Sequence, residues 1–154
     1  MLNKLKKMQA EKSSEKGFTI IEVMIVLAIA GLIILIVFLA VPALQRNSRN
    51  TQRKSDVGRI AAAATTVIQN KNGAISALTS AAVQAEVGTL GYYTSASVTV
   101  TSGLSVTAVS VDAVQIRTGA KCDPSANGDT VVGSQRQFAI MYTAEPATRL
   151  CVDS

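Results

Sequence analysis

Residues 16–44 read KGFTIIEVMIVLAIAGLIILIVFLAVPAL, and the fold of the chain turns on this stretch. The nineteen residues 23–41 within it carry no charge, enough at about 1.5 Å per helical residue to cross the ~30 Å hydrocarbon core of a bilayer. A cleavable secretory signal would have an apolar core of roughly 7–15 residues and a small-residue cleavage site behind it. This run is longer and ends in Val41, Pro42, Ala43 and Leu44. Its front edge is unusual. A basic leader stops at Gly17, the apolar run opens at Phe18, and one carboxylate, Glu22, lies inside the first turns.

Gly17, Phe18, Thr19, Ile20, Ile21 and Glu22 resemble the processing site of type IV prepilins, the subunits of type IV pili and related filaments. The resemblance spans about 30 residues, and the rest of the chain follows that family in layout only. It implies that a prepilin peptidase cuts on the cytoplasmic side between Gly17 and Phe18, and that Phe18 is then N-methylated. It also implies partners: an assembly platform with its ATPase, and many copies of the same chain in a helical filament. In that family a glycine and a proline flank a segment that can unwind on assembly. Gly31 stands at the place of that glycine, while Pro42 comes three residues after the usual place of the proline, here Leu39.

The 154 residues would suit one domain, but the apolar segment cannot serve as globular core. What remains is a small exported domain rich in Ala, Ser, Thr and Val, and six aromatics in the whole chain make its core thin. The net charge of +5 comes from two patches. Residues 1–17 hold five Lys against two Glu, and residues 46–59 hold five Lys or Arg against one Asp. With equal basic flanks, the positive-inside rule favours neither orientation. Cys122 and Cys151 are the only cysteines. An isolated pair in a thinly cored domain reads as a disulfide, which requires an oxidising compartment and places the C-terminus outside and the leader in the cytoplasm. The alternative is two reduced, buried cysteines in an inward-facing domain.

Leu2, Leu5 and Met8 among lysines make a weak amphipathic leader suited to an anionic inner leaflet. From Phe18 the chain should be helical, since lipid offers the backbone no hydrogen bonds. Gly31 costs about 1 kcal/mol relative to Ala in a helix, and Pro42 removes the bond to the Phe38 carbonyl, so a helix break is expected between them. Beyond the membrane segment Val57, Ile60, Ala61, Ala64, Val67 and Ile68 recur at helical spacing, and Gly73 after Asn72 marks a stop. One helix of about 55 residues, roughly 80 Å long, results. Residues 74–87 are Ala-rich and leave room for a further helical turn.

From Tyr92 the apolar period changes to two: Val98 with Val100, Leu104 with Val106, Val109 with Val111, and Val114 with Ile116. Residues 137–143 and 148–152 read as two more strands around a turn at Glu145 and Pro146. The fold class is α+β, a pilin-type arrangement in which the second half of the long helix packs on an antiparallel sheet of three to five strands. The segments are 1–17 as cleaved leader, 18–44 as membrane-spanning and filament-core helix, 45–73 as exposed amphipathic helix, and 74–154 as the C-terminal domain with its disulfide loop.

Catalysis finds little to work with. The chain has no His, and no Ser sits in a nucleophile setting. No catalytic residue and no cofactor are expected. Residues 123–129, DPSANGD, place oxygen side chains at alternate positions with a glycine sixth, as in a calcium loop. Ser134 nevertheless stands where the bidentate Glu belongs, and Asp-Pro and Asn-Gly are ordinary turn dipeptides, so no metal site is assigned. Arg46, Arg49, Arg53, Lys54 and Arg59 read as a DNA or anionic-lipid contact, or as a solvated helix face pairing with neighbouring subunits.

Glu22 carries the sharpest expectation, because a carboxylate in hydrocarbon is costly and by default functional. Cleavage would create an ammonium at Phe18, and a neighbour's ammonium at the same depth would set helix register against Glu22. The other reading is an interfacial Glu that reaches water. The sequence thus points to a structural subunit of a type IV pilus, held in the cytoplasmic membrane as precursor and extracellular once assembled, serving adhesion, twitching motility or DNA uptake and contacting DNA or a surface ligand through the filament. The alternatives are a pseudopilin of a type II secretion machine, favoured if the 123–129 loop binds calcium, and a single-span membrane protein with a ligand-binding outer domain.

Overall fold

The computed structural model describes residues 17–103, 109–126 and 128–154. The chain divides into two compact units, the first ending at Pro42 and the second spanning Ala43–Ser154. The helix α1, Ile20–Asn70, contributes to both. In the first unit every described residue is exposed, including Ile20, Leu27, Leu35 and Phe38. α1 is long and apolar enough in this part to cross a membrane. Such a surface needs lipid or another apolar helix around it.

The second unit has its own core. Val57, Ile60, Ala64 and Val67 form one buried stripe on α1, at the spacing that brings side chains onto one helix face. The helix stops as Gly73 predicts, with Asn72 supplying the left-handed residue (φ 56°), while Gly73 N donates to Ile68 O and Asn72 N to Gln69 O. These are the two bonds that close a helix C-terminus of the Schellman type. A 3₁₀ turn at Ile75–Ala77 and the short helix α2, Ser80–Val87, then occupy the stretch left open by its Ala-rich sequence. Thr79 caps α2, accepting from Ala82 N.

Four strands form the main sheet: β1 Val98–Ser102, β2 Val114–Thr118, β5 Phe138–Ala144 and β6 Thr148–Asp153, in the order β1-β2-β5-β6. β5 is buried along its whole length between β2 and β6, and its Phe138, Ile140 and Tyr142 meet the stripe of α1 in one core. α2 closes the outer edge of β1: Ser80 Oγ accepts from Val100 N and Gln84 Nε2 donates to Val98 O. An edge so covered is shielded from pairing with another chain.

Two expectations need correction. The sheet is antiparallel-rich but mixed, because β1 runs parallel to β2, with Val98 opposite Val114 and Val100 opposite Ile116. The connection between them, residues 103–113, is far longer than a hairpin turn and close to the dozen residues that a parallel crossover takes. Val109 and Val111 are not strand but loop and turn, and the Val109 carbonyl accepts a bond from Thr143 Oγ1. A separate antiparallel hairpin, β3 Ala120–Cys122 and β4 Thr130–Val132, adds to the strands that the apolar period marks. The strand expected at Leu104 and Val106 and the leader, residues 1–16, lie outside the described residues.

Candidate functional site

The N-terminal end of α1 is built by a local exchange of hydrogen bonds. Thr19 is the cap: its carbonyl accepts from Glu22 N and Val23 N, and its Oγ1 accepts a longer bond of 3.3 Å from Glu22 N. Glu22 Oε2 accepts in return from Thr19 N and from Thr19 Oγ1, both at 2.8 Å. This is a capping box, in which a Thr and a Glu three residues on satisfy each other's backbone donors. A carboxylate here also faces the positive end of the helix dipole. Glu22, expected as a register charge or as an interfacial carboxylate, closes the helix cap of its own chain. The spacing Thr-x-x-Glu ahead of an apolar run is the signal for it.

Both Thr19 bonds reach Oε2, and among the described residues Oε1 accepts none. The cap leaves Phe18 outside the helix and 87% exposed. Among the described residues nothing lies within 4 Å of where a side chain on Gly17 would begin. α1 continues through Gly31 and Pro42 without interruption, so in the single chain neither residue ends the helix.

The basic run divides. Arg46, Lys54 and Arg59 are exposed, whereas Arg49 is half-buried and Arg53 fully buried. Arg49 grips the Glu145 carboxylate with Nε at 2.8 Å and Nη2 at 2.7 Å, and Arg53 Nη2 donates to Glu145 Oε1 at 2.9 Å. These bonds hold the Glu145 carboxyl well below the usual carboxylate range, at about 2. Arg53 also donates to Tyr92 Oη and lies over its ring, 4.1 Å from the centroid. Tyr92 Oη in turn donates to Asp112. One turn further on, buried Asp56 accepts from the backbone N–H groups of Gly91, Tyr92 and Tyr93. Any phosphate contact along this run rests on Arg46, Lys54 and Arg59.

At the other end of the chain Cys122 and Cys151 form a disulfide that joins β3 to β6. Cys122 N donates to Asp153 Oδ2, and Arg149 pairs with Asp129 at 2.9 Å. Gly128, at φ +79°, lets the loop press on β6: a Cβ there would stand 2.4 Å from the Arg149 Cβ and 2.6 Å from its carbonyl carbon. The carboxylates considered for calcium face groups of their own chain. Asp123 Oδ1 accepts from Ser125 N and Oγ, Asp129 faces Arg149, and Asn127 lies outside the described residues. Among the described residues no cluster of three or more His, Cys, Asp or Glu side chains gathers.

Residues 12–38 match the family model of the prokaryotic N-terminal methylation motif. No curated protein and no solved structure matches the chain. The match covers the leader's end, Gly17, Phe18, the capping box and the first turns of the apolar helix. The chain thus carries the leader signature of type IV prepilins, the mark of a pilin-like or pseudopilin-like precursor anchored in a membrane by its N-terminal helix.

Proposed function

We propose that the chain is the structural subunit of a type IV pilus filament. Prepilin peptidase removes residues 1–17, Phe18 becomes the methylated N-terminus, and residues 18–44 pass from the membrane into the core of a helical polymer of this chain. Residues 45–73 and 74–154 form the surface of that polymer. The supporting observation is the methylation motif at residues 12–38, joined to an apolar helix segment that is exposed among the described residues. In the mature chain Glu22 holds its helix cap through Oε2 and offers Oε1 to the Phe18 ammonium of a neighbour, which fixes the axial step between subunits. Assembly-platform and ATPase partners, export of the C-terminal unit and an extracellular filament belong to the same reading.

A pseudopilin of a secretion machine would share this layout. The engagement of Asp129 by Arg149 and of Asp123 by Ser125, in a loop closed by a disulfide, favours the pilus. The test is N-terminal sequencing and intact mass of the protein extracted from membranes. A chain beginning at methylated Phe18 is expected, and Gly17→Leu should leave it beginning at Met1. A wild-type chain beginning at Met1, or normal cleavage of Gly17→Leu, would refute the processing step.

A further inference from the structure

The docking of α1 within the second unit changes character along the helix. From Val57 onward it is apolar, and Val57 is the first buried hydrophobic residue of α1. Ahead of it the contacts come from Arg49, Asn50, Arg53 and Asp56, which share one helix face at offsets of one, four and seven. Asp56 holds the backbone of residues 91–93, and Arg53 also reaches Tyr92, so the link to the β5–β6 turn depends on Glu145. Five bonds reach Glu145. Arg49 supplies two and Arg53 one to the carboxylate, while Asn50 Nδ2 donates to the Glu145 carbonyl and Asn50 Oδ1 accepts from Glu145 N. Residues 17–48 are all exposed.

We propose that Glu145 is the keeper of a polar clasp that fixes where the docked part of α1 begins. With Glu145 in place the docked helix starts at Arg49. Without its carboxylate Arg49 loses both of its bonds and Arg53 keeps only Tyr92, so the firmly docked start retreats toward Asp56, whose bonds to residues 91–93 are separate. An apolar contact at this position would bind the helix without a sharp edge. A set of charged hydrogen bonds is directional and either made or unmade, so it sets a boundary. The clasp also confines any rearrangement of the helix between Gly31 and Pro42, since a loosened turn cannot spread past Arg49 while Glu145 holds. Glu145 is in this sense a positioning residue, and its role does not depend on cleavage at Gly17.

Residue-resolved amide exchange on the full chain in detergent micelles tests this. In the wild type, amides 50–54 should be protected, with a step down at residues 43–48. Glu145→Ala should lower protection at amides 50–54 by about ten-fold or more and leave residues 57–67 unchanged. Glu145→Gln, which keeps the size and one acceptor oxygen, should give a smaller loss confined to the same amides, and Asn50→Ala should also act there. Unchanged protection at 50–54 in Glu145→Ala would overturn the proposal. A uniform loss across 50–67 in both Glu145 variants would overturn it too, because it would reduce Glu145 to a general contributor to stability.

Discussion

The two parts of α1 are one continuous helix with opposite relations to their surroundings. Residues 23–41 are apolar on every side and exposed on every side, while residues 49–67 bury one face and solvate the other. The first pattern suits a surrounding that is apolar in all directions, lipid or a bundle of similar helices; the second suits a boundary between a core and water. The lesson is that the second unit carries its own stability. Its core, its capped helix ends, its ion pairs and its disulfide all lie within 43–154. Among the described residues the apolar surface of the first part stays exposed.

The sharpest way to break this comparison is to remove the disulfide. Closing a loop of sequence separation 29 removes roughly 3.5 kcal/mol of unfolded-chain entropy in the usual treatment. Cys151→Ser should lower the melting temperature of the second unit by more than about ten degrees, while circular dichroism in micelles retains the signal of the apolar helix. Unchanged melting would mean that the β3–β4 hairpin is held by its other contacts alone. Asp56→Ala comes next. It strands three backbone donors around a buried site, with an expected loss of about 2–3 kcal/mol by denaturant titration, again without effect on residues 20–42.

Thr19→Ala acts on the other side of the comparison. It removes the hydroxyl of the capping box at an expected cost of about 1 kcal/mol, visible as fraying of amides 20–23 with no change in the melting of the second unit. The smallest effect concerns acid. Glu145 has its folded pKa depressed from 4.5 to about 2 by Arg49 and Arg53, so its contribution is complete above the unfolded value and is lost as pH falls through that interval. Melting temperature should decline between pH 5 and about 2 in the wild type and decline less in Glu145→Gln. Asp123, also lowered by its bonds from Ser125, accounts for part of what remains. Equal slopes in the two proteins would remove Glu145 from the acid response.

Much of this architecture is legible in the residues, for stated reasons. The apolar run, the stripe from Val57 to Val67, the stop before Gly73 and the strands at 98–102, 114–118, 138–144 and 148–153 repeat long enough for their periods to show. The hairpin β3–β4 stays hidden because three-residue strands hold too few alternations to register. Val109 and Val111 mislead because two valines at spacing two also fit a loop. The parallel pairing of β1 with β2 depends on how the chain crosses over, which no local pattern records. The charge of Arg53 and Asp56 suggests a solvated face, yet their positions fall on the same face as Ile60 and Ala64, and the period alone places them inward. The partner that makes Arg53's burial tolerable, Glu145, is 92 residues away in sequence. At the N-terminus, the capping role of Glu22 is written in its spacing to Thr19, a signal easily overshadowed by the cost of a carboxylate in lipid.

In the proposed filament the exposed apolar half of α1 serves assembly and Glu22 sets its register. The most direct measurement is the amount of this chain in filaments sheared from cells, detected with an antibody against residues 92–154, in the wild type and in Glu22→Val at equal membrane levels of the protein. Abundant wild-type filaments and a loss of about ten-fold or more in Glu22→Val are expected, with membrane insertion intact. Filament amounts in Glu22→Val equal to wild type, or a wild-type chain that never leaves the membrane fraction, would contradict it.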